Sequence, residues 1–181
     1  MKKNNKGLSL VEVVIVVAIM SVVIATVSFG LSSVISRPAD ACAEELVSTL
    51  RNAKITTMGK RSCTLELYQT GAGNEIKMKE TTVTSSVGSP KVNDFKLGEK
   101  GVLVKINTKN SGSFQLHEID KLEITFNRET GGFNKGKFTI LVSGTAVEDY
   151  IASIEIEKGN RSHTVTLYYL TGKVKMDEAL Y

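Results

Sequence analysis

The stretch MKKNNKGLSLVEVVIVVAIMSVVIATVSFGLSSVI, residues 1–35, decides how the rest of the chain is read. It opens with Lys2, Lys3, Lys6 and Gly7, and residues 8–35 then carry a single charge, Glu12. An apolar run of at least about 18 residues is long enough to cross a bilayer as a helix. Ser21 and Thr26 are the polar interruptions between residues 13 and 27, and both hydroxyls can bond back to carbonyls of their own helix. A basic leader holds the N-terminus on the cytoplasmic side. Everything after residue 35 is therefore expected to face outward.

Glu12 is the residue a plain anchor would not need. A charge at the centre of a membrane helix costs about 2.5–3.5 kcal/mol on insertion scales, and such residues tend to be paired and functional. Near the cytoplasmic end that cost is smaller, and snorkelling to the interface is one reading. The other joins Glu12 to Gly7. Cutting after Gly7 would leave Leu8 as a new N-terminus, four residues before the carboxylate. The ammonium of one helix and Glu12 of a neighbour could then neutralise two charges that hydrocarbon disfavours.

The basic leader ending in Gly7, the motif Gly7-Leu8-Ser9-Leu10-Val11-Glu12 and the apolar run behind it resemble the class III signal peptide of type IV prepilins and type II secretion pseudopilins. Leu8 stands where that family usually has phenylalanine. The resemblance implies cleavage after Gly7 by a membrane prepilin peptidase, N-methylation of Leu8, and a role for Glu12 in setting register during filament assembly. Implied partners are other pilin or pseudopilin subunits, the peptidase and the assembly platform in the membrane.

At 181 residues the chain leaves room for one globular domain, residues 36–181, beyond a leader at 1–7 and a membrane and assembly helix at 8–35. The formal charge of +4 suggests an anion-binding protein, and the suggestion misleads. Without Lys2, Lys3 and Lys6, the 23 Lys+Arg fall to 20, against 19 Asp+Glu. A near-neutral mature product argues against a strongly electrostatic nucleic-acid surface. A helix from Cys42 to residue 58 would hold its ends about 24 Å apart, whereas bridged cysteines need Cα atoms within about 7 Å. Cys42 and Cys63 are thus expected as free, buried thiols. They form no CxxC pair or Cys/His cluster of the kind that binds zinc.

After Ser36-Arg37-Pro38, residues Ala39, Cys42, Ala43, Leu46, Leu50, Ala53 and Thr57 recur at helical spacing. Asp40, Glu44, Glu45, Ser48, Arg51 and Asn52 fall on the other side. The pattern predicts an amphipathic helix over 39–58, continuous with the first to make one spine from about Leu8 to Met58, kinked near Pro38. Gly59 suits its C-cap, and Lys60-Arg61 suits the negative end of its dipole. Residues 62–176 read as antiparallel β-sheets. Strands are expected at 63–68, 75–79, 102–106, 122–126, 138–142, 151–157, 164–169 and 173–176, with turns at 70–74, 129–132, 158–161 and 170–172. The Ser/Thr/Gly-rich stretch 81–90 reads as a loop. The fold class is α+β, a long N-terminal membrane-spanning helix packed against antiparallel sheets.

The helix-to-strand segment 46–68, Ile124-Thr125-Phe126 with Gly131-Gly132 downstream, and the closing hairpin around Gly172 resemble the minor pseudopilins of the general secretion and fimbrial-assembly type. The membrane half lacks the kinking proline common in major pilins, with Gly30 as its one breaker. No cysteine follows Cys63 to close a C-terminal loop. Both departures favour a minor subunit.

No chemistry competes with this reading. His117 and His163 are the only histidines, neither has a second ligand at metal spacing, and both are expected in solvent-type surroundings. No phosphate-binding glycine loop or nucleophile elbow occurs, so neither enzymatic activity nor a cofactor is expected. Gly131-Gly132 reads as a turn and Asp177-Glu178 as a solvated tail; one of Tyr168 and Tyr169 should face the core. The alternative function is a binding module displayed on a filament, for DNA uptake or surface adhesion. For DNA it would need Lys135, Lys137, Lys158 and Arg161 to converge in space.

Overall fold

The computed structural model describes the backbone of residues 10–59, 61–71, 74–84, 89–118, 120–140 and 145–180, and their side chains except at 23–37, 140, 145, 179 and 180. The chain divides into two compact units, Met1–Ile35 and Ser36–Tyr181. One helix, α1 (Leu10–Met58), carries Pro38 inside it, and the Gly59 N–H closes its end on the Ile55 carbonyl at 3.0 Å. Lys60, expected beside that end, lies outside the described residues. So does the side chain of Thr26. Among the described residues no helix is long and apolar enough to cross a membrane. The described apolar side chains before residue 23 are those of residues 10–22, fewer than the about 20 residues such a span needs.

In the second unit the helical stripe is buried as its spacing requires. Ala39, Cys42, Ala43, Leu46, Leu50 and Ala53 are 0% exposed, and Thr57 turns its hydroxyl back to the Ala53 carbonyl at 2.9 Å. Val47 and Thr49 are buried as well, so the stripe is wider than the sequence spacing suggests. Burying each leucine there is worth about 1.5–3 kcal/mol.

The six-stranded sheet has the order β3-β2-β1-β6-β7-β8. Its strands are β1 (Ser62–Thr70), β2 (Glu75–Val83), β3 (Lys91–Gly98), β6 (Lys121–Thr125), β7 (Gly136–Ile140) and β8 (Thr145–Asp149). The five-stranded sheet has the order β11-β10-β9-β4-β5. It contains β4 (Leu103–Thr108), β5 (Ser113–Gln115), β9 (Ile151–Lys158), β10 (Arg161–Tyr168) and β11 (Lys173–Leu180). Every paired strand is antiparallel. Alternation explains the central strands: in β1, Cys63, Leu65 and Leu67 turn inward, and in β9, Ile154 and Ile156 do. The Phe114 and Phe138 rings, 5.2 Å apart, join β5 of one sheet to β7 of the other. On the β3 side, Gly98 lies so close to α1 that a Cβ there would sit 2.8 Å from the Cys42 sulfur.

Several expectations need correction. Residues 81–83 extend β2 rather than opening a loop; residues 85–88 lie outside the described ones. The strands β3, β5 and β8 were not expected. β3 exposes Lys91, Val92, Asn93 and Asp94 in a row, β5 has three residues, and neither presents a two-residue hydrophobic period. The sheets continue past residue 176 to Leu180, so Asp177 and Glu178 are strand residues and not a tail. Cys42 and Cys63 are both free and buried.

Candidate assembly surface

Gly7 and Leu8, the expected processing residues, lie outside the described residues. Glu12 is described, in the first turn of α1. A carboxylate there complements the positive end of the helix dipole. Around and after it, Leu10, Val11, Val13, Val14, Ile15, Val16, Val17, Ile19, Met20 and Val22 are all between 48% and 81% exposed. These residues cover every side of the helix. A helix that is apolar all round belongs inside a bundle or a membrane. Ser21 does not interrupt the surface, because its hydroxyl donates back to the Val17 carbonyl at 2.7 Å.

The other half of α1 is held by polar contacts at both ends. Asp40 accepts from Arg161 Nη1 at 2.7 Å through one oxygen and meets His163 Nε2 at 2.8 Å through the other. Glu178 approaches the same guanidinium at 3.5 Å. His163 is 3% exposed and its Nδ1 has no protein partner, which corrects the expected solvent setting. His117 is exposed. Toward the other end, Lys54 donates to the Thr171 carbonyl at 2.7 Å. There the 127–132 turn, closed by Asn127 N–H to the Gly132 carbonyl at 2.7 Å, meets the β10–β11 turn, where Phe133 N–H reaches the Tyr169 carbonyl at 2.8 Å. Gly172 has φ +61°, and any side chain on it would collide with the Gly131 carbonyl. Thus the Gly131-Gly132 and Gly172 motifs, far apart in sequence, form one junction.

The remaining reactive groups have structural surroundings. Burial pushes the Cys42 thiol up to about 12. It pushes Cys63 to about 11, helped by the nearby charge of Glu80. A thiol held protonated in this way is a poor nucleophile. Asp149 is buried among N–H groups. Burial works to raise its pKa, but the N–H groups of Asn110 and Tyr150 and the side chains of Asn110 and Ser111 outweigh it and hold the carboxyl well below the usual carboxylate range. Tyr169 packs against the core and on Tyr150, 4.7 Å between ring centres, while Tyr168 is exposed.

The basic residues proposed for DNA are divided between the two sheets, and three of them are already engaged. Lys135 and Lys137 belong to the six-stranded sheet and its connection, Lys158 and Arg161 to the five-stranded one. Lys137 faces Glu148 at 3.6 Å, Lys158 donates to the Lys100 carbonyl, and Arg161 is held by Asp40.

The family model described as the prokaryotic N-terminal methylation motif matches residues 2–28. The chain is type IV prepilin-like. The match spans Gly7 to Glu12 and the whole described exposed apolar stretch, residues 10–22. No characterised protein and no solved structure matches this prepilin-like chain.

Proposed function

We infer that this prepilin-like chain is a minor structural subunit of a type IV pilus or a type II secretion pseudopilus. Residues 1–7 are the leader removed by prepilin peptidase, and the new N-terminus, Leu8, is methylated. Residues 8–35 anchor the subunit in the cell membrane as a single pass, N-terminus cytoplasmic, until they enter the filament. Residues 36–181 form its extracytoplasmic domain. In the filament, Glu12 of one subunit neutralises the Leu8 ammonium of a neighbour. The observation that carries this reading is the fully apolar, exposed surface of residues 10–22 with Glu12 as its one charge, inside the region matched by the methylation motif. The minor role rests on the absence of a cysteine after Cys63 and of a proline before Pro38.

Mass analysis of the mature N-terminus tests it. The reading expects N-methylated Leu8, and Gly7→Val should leave a larger, uncut product. A start at Ala41 or Ala43 would point to an ordinary signal peptidase and remove the basis for pilus assembly. The second reading, a displayed DNA-binding module, gains no support from Lys137, Lys158 and Arg161, each already engaged within the chain.

A further inference from the structure

Among the described residues the two sheets present four edges: β3 and β8 in one, β11 and β5 in the other. An edge strand offers unpaired N–H and C=O groups to another chain, and proteins blunt such edges with shortness, bulges or inward-pointing charges. Three of these edges are blunted. β5 has three residues. β8 ends on Asp149, whose buried carboxylate is taken up by the N–H groups of Asn110, Ser111 and Tyr150. β3 breaks register opposite Ile76 and Lys77. β11 carries Lys173 and Lys175 and has α1 alongside it, yet it pairs with β10 in unbroken register along its whole length, Lys173 to Leu180.

Beside β11 runs a groove of about 600 Å³, walled by Glu44, Val47, Ser48 and Arg51 of α1 and by residues 173–176. Arg51 Nη2 reaches the Val174 carbonyl across it at 3.5 Å, too long for a firm bond. Lys173, Lys175 and Asp177 alternate onto one face of the strand, so that face is basic at its start and acidic at its end. Lys175 and Asp177 already attract one another at 2.7 Å within the strand. A strand with this charge order is complementary to its own antiparallel copy. With Met176 on a two-fold axis, Lys175 lies opposite Asp177 of the second copy, and symmetry repeats the pair.

We propose that β11 pairs antiparallel with β11 of a second copy of this chain, centred on Met176, joining the two five-stranded sheets into one. A second copy is the occupant because it necessarily carries the reversed charge order. The surface shares no residue with the apolar stretch 10–22 or with Glu12, so the pairing stands or falls independently of filament assembly.

The test uses the full chain in its membranes, oxidised gently after a single Met176→Cys substitution. The natural thiols are buried, and residues directly opposite in an antiparallel pair lie about 4.5–5.5 Å apart, within disulfide reach. Val92→Cys on β3 is the control, its site being 51% exposed against 38% for Met176. Met176→Cys should give at least about tenfold more covalent dimer than the control, Lys175→Asp should lower that yield about tenfold, and Lys175→Asp with Asp177→Lys should restore it. Adding Glu12→Leu should leave the yield unchanged, which separates this pairing from the assembly reading. Equal yields from the two introduced thiols, no dimer, or indifference to charge reversal would overturn the proposal.

Discussion

The two described stretches of α1 differ in one respect that explains most of the molecule. Over residues 39–58, one stripe is buried at or near 0% and the opposite side is charged. Over residues 10–22, large apolar side chains stand exposed on all sides. The same helical backbone carries both. The first stretch satisfies its apolar surface inside its own chain; the second leaves that surface for something else. Composition hints at the distinction, since residues 39–58 carry Asp40, Glu44, Glu45, Arg51 and Lys54 against Glu12 alone in residues 10–22. The spacing of the charges draws it, with polar residues marking one side of 39–58 and a lone Glu12 marking no side of 10–22.

The largest effect that should separate the two stretches comes from matched truncations. Leu46→Ala removes a fully buried side chain and should lower the unfolding free energy of the detergent-solubilised chain by about 2–5 kcal/mol. Val16→Ala, at a site 52% exposed, should stay within about 0.5 kcal/mol. Equal losses in a denaturant titration would mean that residues 10–22 also pack within the chain. Next comes the polar clamp on the buried stretch. Arg161→Ala removes the guanidinium from Asp40, leaving it only His163, and should cost about 1.5–3 kcal/mol. An unchanged melting temperature would show that the clamp contributes nothing.

A third effect appears only in acid. The folded pKa of Asp149 is depressed, so its contribution is complete well above the unfolded value near 3.8. It is lost as pH falls below that value, since the unfolded state takes up the proton first. Asp149→Asn should therefore destabilise at pH 7 and show a shallower decline between about pH 4 and pH 2. A variant whose stability curve runs parallel to the parent's through that range would contradict this. The smallest effect belongs to Lys137 and Glu148, 58% and 56% exposed. Lys137→Ala should change stability by less than about 0.5 kcal/mol, because exposed pairs are screened by water and salt.

Much of this was legible in the sequence where a period repeats. The stripe from Ala39 to Thr57 and the alternation in β1, β9 and β10 follow directly from side chains that must face a core. The matched N-terminal motif was legible because spacing and context agree from Gly7 to Glu12. What escaped has two physical causes. Edge strands such as β3 bury little, so their residues carry no hydrophobic period. Contacts made across long separations leave no local trace: Asp40 and His163 are 123 residues apart, and the Gly131 and Gly172 turns meet only in the folded chain. His163 read as a surface residue because its polar partner is invisible from either neighbour in sequence.

The most direct test of the contrast is the amount of Glu12→Leu protein in sheared filaments, relative to the amount in membranes. The substitution adds apolar surface, so insertion and cleavage should proceed normally. The account expects the variant to accumulate in membranes and to be nearly absent from filaments, because the Leu8 ammonium of its neighbour is left uncompensated in a low-dielectric setting. Glu12→Asp, one methylene shorter, should fall between. Incorporation of Glu12→Leu equal to that of the parent would contradict the account and leave residues 8–35 as a membrane anchor alone.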